Sequence, residues 1–249
     1  MAASFVADFE AYMPYSYNGK PYGKAGVLAT ADEAGIDVLV VFPGTLPYEP
    51  AELNARLLAE MKGEDRLLPG VLINPTLGAT AVAEAQRCVA AGARTLKLMA
   101  AAHKYIIDAP CVDPVMDAAR SLGVPVTIHS GSPESGCSPS AIGALAERHP
   151  DVVILMDHMG YREWIPLALA AAQAHPNLYL GTTLIAAAEP SFVRDPIRQG
   201  VIGAERVVFG SNSPSGIAIH GVQGIRRVGF SEEEETAILG GNFRRIYGV

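Results

Sequence analysis

What this chain has little of narrows it first. No apolar run reaches the roughly 18 residues that a membrane-crossing helix needs; the longest, WIPLALAAAQA, is shorter and contains Pro166. Positive charge is neither abundant nor clustered. The 19 Lys and Arg stand against 26 Asp and Glu, for a net charge of -7, and the absence of a basic patch argues against nucleic acid as a partner. Only three cysteines occur, Cys88, Cys111 and Cys137. Odd in number and widely spaced, they form neither a disulfide framework nor a zinc knuckle, and reduced thiols in a cytoplasmic setting are the expectation. The opening MAASFVADFEAYMP has no positive leader followed by an apolar core, so no signal peptide is expected. Two signatures are missing as well. No G-x-G-x-x-G follows the first apolar run, which leaves a dinucleotide-binding sheet unsupported, and no G-x-S-x-G elbow favours a serine hydrolase. With no linker or low-complexity segment, residues 1–249 read as one domain.

What is present is a rhythm. Short apolar, β-branched runs recur: SFVADFE from Ser4, DVLVVFP from Asp37, LLPGVLINP from Leu67, TLKLMA from Thr95, PVTIHSG from Pro125, VVILMDHMG from Val152, LYLGTT from Leu178 and VVFGSNS from Val207. Most are continuously apolar rather than alternating, as strands buried on both faces should be. Helical spacing fills the gaps, in GVLATADEAG, PAELNARLLAEMKG, ATAVAEAQRCVAAG, VDPVMDAARSLG, SPSAIGALAERHP and WIPLALAAAQAHP, with SFVRDPIRQGVIGA a weaker seventh. SEEEETAILGGNFRRIYG reads as the eighth, with Ser231 as N-cap and acids in its first turn. Eight βα units of about thirty residues are the arithmetic of an α/β fold closed into a (β/α)8 TIM barrel.

In such a barrel the site lies at the C-terminal ends of the strands. The sequence places Asp8, Glu10 and Tyr12 there on strand 1, Lys97 on strand 4, His129 and Ser130 on strand 5, Asp157 and His158 on strand 6, Thr182 and Thr183 on strand 7, and Ser211 and Asn212 on strand 8. A lone strand-end histidine is usually a hydrogen-bonded structural residue. Two on adjacent strands, with Glu10 and Lys97 on the same edge, make a candidate catalytic group. Lys97 is costly to bury unpaired, so it either pairs with Glu10 or Asp157 or serves the chemistry. Ser130 and Thr182 are candidate substrate contacts that would equally serve as hydrogen-bonding supports. His103 and His220 fall in the loops after strands 4 and 8 and are both candidates for the rim, with His103 the candidate substrate contact. His149 and His175 precede proline at helix ends and read as surface or capping residues. The tyrosine-rich stretch MPYSYNGKPYGK (Met13 to Lys24) reads as an aromatic wall or a solvent-facing lid, with Tyr15 its candidate contact beside Tyr12.

These segments, in this order, resemble the amidohydrolase-related superfamily, in its branch of small metal-dependent hydrolases and non-oxidative decarboxylases. ADEAGIDVLVVFP resembles the segment leading into strand 2, LKLMAA the lysine-bearing strand 4, and GVPVTIHSG strand 5 with its metal-binding histidine. ILMDHMG resembles strand 6, VVFGSNSP strand 8, which is normally Gly-Ser-Asp-x-Pro, and ILGGNFRRIYGV the closing helix. The resemblance implies a metal role for His129, a metal or acid–base role for His158, and a homodimer. The departures fall on the chemistry. The usual His-x-His of strand 1 is Glu10 and Tyr12; the Glu-x-His variant of some decarboxylases fits Glu10 but not Tyr12. The expected Asp of strand 8 is Asn212.

The implied ligands for a divalent zinc or manganese ion are then Glu10, His129, His158 and the Asn212 carbonyl, with one negative charge where two would be expected. Tyr12 could join only as a phenolate, from a reference pKa near about 10. Whether a metal is bound stays open on these residues. An amide at 212 cannot take a proton from attacking water, which moves that role to His158, or to Glu10 if no metal holds it. The leading expectation is an amidohydrolase-type hydrolase acting on a small carboxylated or cyclic lactone, ester or amide. His158 would be its base, with His129, Lys97 and Asn212 as electrophilic or orienting groups. A non-oxidative decarboxylase or metal-free isomerase or cyclase is the alternative, and a non-catalytic binding protein that has lost the metal is a further one.

Overall fold

In the computed structural model, which describes residues 5–249, eight strands follow one another around the molecule in chain order. They are β1 (Ala7–Met13), β2 (Val38–Pro43), β3 (Leu67–Ile73), β4 (Thr95–Leu98), β5 (Val126–Ile128), β6 (Ile154–Met156), β7 (Leu178–Gly181) and β8 (Val207–Val208). Every neighbouring pair is parallel. The sheet closes where β1 meets the chain beyond β8: Phe9 N–H donates to Phe209 O at 3.0 Å, Asn212 N–H to Glu10 O at 2.9 Å and Tyr12 N–H to Ser213 O at 2.7 Å. This is the expected (β/α)8 TIM barrel. Ser4, at the start of the first expected strand, lies outside the described residues.

Helices α1 (Gly23–Ala34), α2 (Ala51–Met61), α3 (Ala79–Ala90), α4 (Asp113–Leu122), α5 (Pro139–Arg148), α6 (Ile165–Ala174) and α7 (Ser191–Arg198) match the expected segments. The eighth differs. A helix missed in the sequence, α8 (Ala218–Arg227), follows β8, and the expected SEEEET helix is an additional C-terminal one. The segment of α8 reads AIHGVQGIRR, and two interior glycines weaken its helical signal. Gly224 is there for contact: a Cβ on it would stand 1.9 Å from Ala186 O. His220 therefore lies on a helix, not in a loop. The C-terminal helix begins at Ser231 with a capping box to Glu234, as the N-cap reading anticipates, and runs on through a π-helical turn at Ala237–Gly241 to Tyr247. The cysteines are free. Among the described residues no helix is long and apolar enough to cross a membrane.

Side chains sort by strand parity. Leu39, Val41, Leu96, Leu98, Val126 and Ile128 pack outward in the core shared with the helices. A second cluster holds Ala7, Phe9, Val40, Phe42, Leu68, Leu155 and Val208, joined by Phe243 and Tyr247 from the C-terminal helix. Phe9 and Phe42 are its largest members, and the strands yield space to them. A Cβ on Gly181 or Gly210 would meet the Phe9 ring at 2.2 or 2.5 Å, and one on Gly70 the Phe42 ring at 2.3 Å, so only glycine fits.

Parity breaks once, in β1. Its register against β2 shifts between Asp8 and Ala11, the mark of a bulge. Val6 lies with the outer cluster and Ala7 and Phe9 with the inner one, yet Ala11 and Met13 are outer again. The extra residue is what allows Glu10 and Tyr12 to join Phe9 on the inside. Asp8 fixes the bulge, accepting from Glu10 N–H at 2.9 Å and from Ser211 N–H at 3.0 Å and Ser211 Oγ. The same side-chain bonds cut β8 to two residues. Past Val208 the ladder gives way to Phe209 N–H on Ile238 O, Gly210 N–H on Thr182 Oγ1 and Ser211 N–H on Asp8.

Burial pushes the Asp8 carboxyl up to about 7, against the bonds from Ser211 and Glu10. A raised carboxylate keeps its proton in the folded chain after the unfolded chain has lost it, so its contribution to stability falls as pH rises from about 4 towards 7. Asp8→Asn, which cannot ionise, is expected to flatten that part of the stability–pH curve. Asp8→Ala should cost about 2–3 kcal/mol in urea denaturation, because it strands buried donors.

Candidate active site

The bulge in β1 delivers a carboxylate to the inside of the barrel. Lys97, inward on β4, meets it: Nζ lies 2.6 Å from Glu10 Oε1 and 2.8 Å from Asp157 Oδ2. All three side chains are fully buried. Tyr12 OH donates to Glu10 Oε1 at 2.7 Å and Thr183 Oγ1 to Oε2 at 3.3 Å. The ammonium also stands 4.9 Å from the Phe42 ring centre and 5.4 Å from that of Tyr12, close enough for cation–π attraction. The two partners suggested for Lys97 are thus both real.

Burial opposes every charge here, and pairing decides which survive. Burial alone would lower Lys97, but the charges of Asp157 and Glu10 hold it well above its ordinary value. Burial would raise Asp157, but His158, Lys97 and His129 hold it well below the usual carboxylate range. Glu10 is pushed up, first by burial and then by the charge of Asp157. Burial, with Glu10 beside it, pushes Tyr12 well above the ordinary phenol value.

Asp157 is the hub. Its Oδ1 accepts from Ser130 N–H at 2.9 Å, and its backbone carbonyl accepts from Ser130 Oγ, which in turn accepts from Gly160 N–H at 3.0 Å. His129 Nδ1 and His158 Nε2 each stand 3.6 Å from that same Oδ1, just beyond a hydrogen bond. The two rings meet edge to face with centres 5.0 Å apart, and His158 Nδ1 lies 3.2 Å from Thr183 O. Burial would lower His129, but Asp157 outweighs it and the imidazole is raised above its ordinary value. With Nδ1 turned to Asp157, Nε2 is the nitrogen left for the cavity.

The backbone bends sharply to place these groups. After β6 the chain turns left-handed at His158, Met159, Tyr161 and Arg162, with φ of 55°, 49°, 61° and 41°. Such angles are uncommon outside glycine and cluster where geometry serves function. Asn212 is left-handed too, at φ 63°, a conformation asparagine adopts more readily than most residues.

His129, His158, Tyr12, Asn212, Met99 and Tyr17 line one cavity of about 560 Å³ at the C-terminal mouth of the barrel. Four expected site residues therefore converge there, with Lys97 and Glu10 directly beneath. Others do not. Tyr15 lies over the Arg56 guanidinium at 3.4 Å and faces a separate small pocket with Leu53 and Leu57. The wall comes instead from Tyr17, on the small hairpin of Ser16–Tyr17 and Lys20–Pro21. His103, which ends a short helix at Ala100–His103, is buried against Pro47 O at 3.0 Å and Tyr48. Ser130 and Thr182 are buried supports, bonded to Asp157 and Gly210. The sequence reading missed the central place of Asp157. Its signal was position: a strand-end acid beside His158, on the edge shared with a buried lysine.

The expected metal ligands assemble only in part. Both Glu10 oxygens are engaged, by Lys97, Tyr12 and Thr183. The group that does come together is His129, Asp157 and His158, with one ligand atom from each within 4.8 Å of the others. Two imidazoles and a carboxylate are a donor set that a divalent ion can use.

Comparison with known proteins places the chain. The amidohydrolase family model matches residues 8–249, and the chain belongs to the amidohydrolase family. Solved structures share the fold. The 5-carboxyvanillate decarboxylase of Sphingomonas paucimobilis is similar over 99% of this chain and 100% of its own, at TM-score 0.76 and 17% identity. An uncharacterised TIM-barrel protein of Bordetella bronchiseptica is similar over 98% of both chains, at TM-score 0.79 and 19% identity. A dihydroxybenzoic acid decarboxylase from a Polaromonas species, solved with manganese and the inhibitor 2-nitroresorcinol, is similar over 99% of this chain and 97% of its own, at TM-score 0.76 and 14% identity. No curated protein matches the chain by sequence.

Removing the ammonium would leave two carboxylates facing each other in the barrel. Lys97→Met is expected to destabilise the fold by about 3–5 kcal/mol in urea denaturation. Adding Glu10→Gln should recover part of that loss, since the two residues are in direct contact and their effects do not add.

Proposed function

We propose that the chain is a non-oxidative lyase that removes the carboxylate of a small, electron-rich unsaturated or aromatic acid by protonating the carbon that bears it. One observation carries this reading. The imidazole of His129, whose proton affinity is raised by the Asp157 carboxylate 3.6 Å from its Nδ1, opens on the cavity, while the strand 8 position suited to a base is the neutral amide of Asn212. The site is better furnished with an acid than with a base. Hydrolysis, the leading expectation from the sequence, needs a group to take a proton from water. Decarboxylation needs one to give a proton to carbon. The decarboxylase activities named for two of the structural relatives support the same reading.

Protons and electrons follow simply. The substrate lies over the two imidazoles with its carboxylate towards the cationic side of the cluster. His129 gives its proton from Nε2 to the carbon carrying the carboxylate. The carbon–carbon bond then breaks, its electron pair returns to the unsaturated system, and carbon dioxide leaves. His129 regains a proton from solvent. Asp157 keeps the imidazolium stable, and Lys97 keeps Asp157 ionised. Tyr17, Met99 and Tyr12 supply apolar and aromatic surface for a planar substrate. A second reading rests on the spacing of His129, Asp157 and His158 and on the manganese in one relative's structure. A divalent ion held by these three would act as a Lewis acid on a substrate oxygen.

The test is turnover of a panel of hydroxybenzoic and heteroaromatic acids in deuterated water. One deuterium is expected at the vacated carbon, with carbon dioxide released. His129→Asn should lower kcat by about 10²- to 10⁴-fold, the usual loss for a positioned acid. Full turnover by that variant, or hydrolysis of lactones with no action on acids, would overturn the proposal. Metal analysis and chelator treatment separate the two readings. Loss of activity with chelator, restored by manganese, selects the second.

A further inference from the structure

We infer that Lys97 is a built-in cation: its ammonium occupies the point from which a divalent ion would have to bridge Glu10 and Asp157, and so keeps Glu10 out of any metal site in this protein. Lys97 plays this part whichever reaction the site performs. The basis is the arrangement beneath the cavity. Carboxylate oxygens from β1 and from the end of β6, with β7 and β8 between them, converge on one nitrogen at 2.6 and 2.8 Å. The phenol of Tyr12 shares Glu10 Oε1 at 2.7 Å, and the His129 and His158 nitrogens stand 3.6 Å from the other Asp157 oxygen. Oxygen and nitrogen donors from three strand ends, those of β1, β5 and β6, gathered about one buried cation are the layout of a metal site. Here the cation is covalently part of β4.

The two kinds of cation exclude each other. A divalent ion takes carboxylate oxygens at about 2.0–2.2 Å. On Glu10 and Asp157 together it would have to sit within the reach of Nζ, where two buried positive charges a few ångströms apart repel strongly. Lys97 cannot swing away to solvent, because its whole side chain is buried and its ammonium is packed against Phe42 and Tyr12. Asn212, neutral at the cavity wall, adds no third carboxylate that one ammonium would leave uncompensated.

In Lys97→Met, Glu10 and Asp157 are free to take a divalent ion, and Mn²⁺ should become a stabilising ligand. With Mn²⁺ at about a hundredfold its Kd, the melting temperature of full-length Lys97→Met should rise by about 5–10 °C, and Glu10→Gln/Lys97→Met should lose that rise. In the wild-type background, Glu10→Gln should leave Mn²⁺ affinity by calorimetry within about twofold, whether that affinity is nil or comes from His129, Asp157 and His158. A folded Lys97→Met that binds Mn²⁺ no more tightly than wild type overturns the inference. So does a Glu10→Gln chain, folded by circular dichroism, that has lost Mn²⁺ binding shown by wild type. If Lys97→Met does not fold, Lys97→Gln, which keeps a hydrogen-bond donor between the two carboxylates, takes its place with the same expectations. The outcome is separate from the lyase reading, which stands or falls on turnover by His129→Asn.

Discussion

One ammonium between two carboxylates organises the upper half of this barrel. The contact of Lys97 with Glu10 and Asp157 joins β1, β4 and the end of β6, three strands that share no edge. None of the three charges could be buried alone, so the position of each depends on the other two. Asp157, kept ionised by His158 and Lys97, is what raises the proton affinity of His129. The proton affinity of an imidazole in contact with the cavity is thereby tied to a carboxylate that solvent never reaches. The β1 bulge, secured by Asp8, is the backbone adjustment that makes the arrangement fit, since an unbroken strand would turn Glu10 away from the barrel.

Much of this could be read from the residues alone, and the reasons differ by feature. The eight strands were legible because parallel strands covered on both faces have continuous apolar runs. Helix α8 was not, because Gly221 and Gly224 serve contacts with neighbouring elements at the cost of helical propensity. His129, His158, Lys97 and Asn212 were found by position, at strand ends on one rim. The bulge was invisible, since register shifts arise from pairing between distant segments, and with it the distinction between a ligating and an ion-paired Glu10. Tyr15 and Tyr17 have the same side chain two residues apart. Only the small hairpin decides that Tyr17 reaches the cavity while Tyr15 stacks on Arg56.

The family assignment and the site's own chemistry answer different questions. Membership in the amidohydrolase family accounts for the barrel and for the rim on which its polar groups stand. It does not choose between adding water and moving a proton to carbon. That choice turns on which groups hold protons. In this chain the proton affinity of an imidazole is raised by its neighbour, a phenol is kept neutral by burial, and the strand 8 side chain is an amide.

The aromatic pair under the site has a further consequence. Phe9 and Phe42 fit because β3, β7 and the chain after β8 present glycine to their rings, so the barrel's bore is set by two side chains interlocked with three backbones. Enlarging the pocket downward would mean shrinking a phenylalanine, and the bare glycine positions opposite could not refill the gap. The loops at the mouth carry no such interlock. Descendants of this sequence can therefore explore wider ligands far more readily than longer ones.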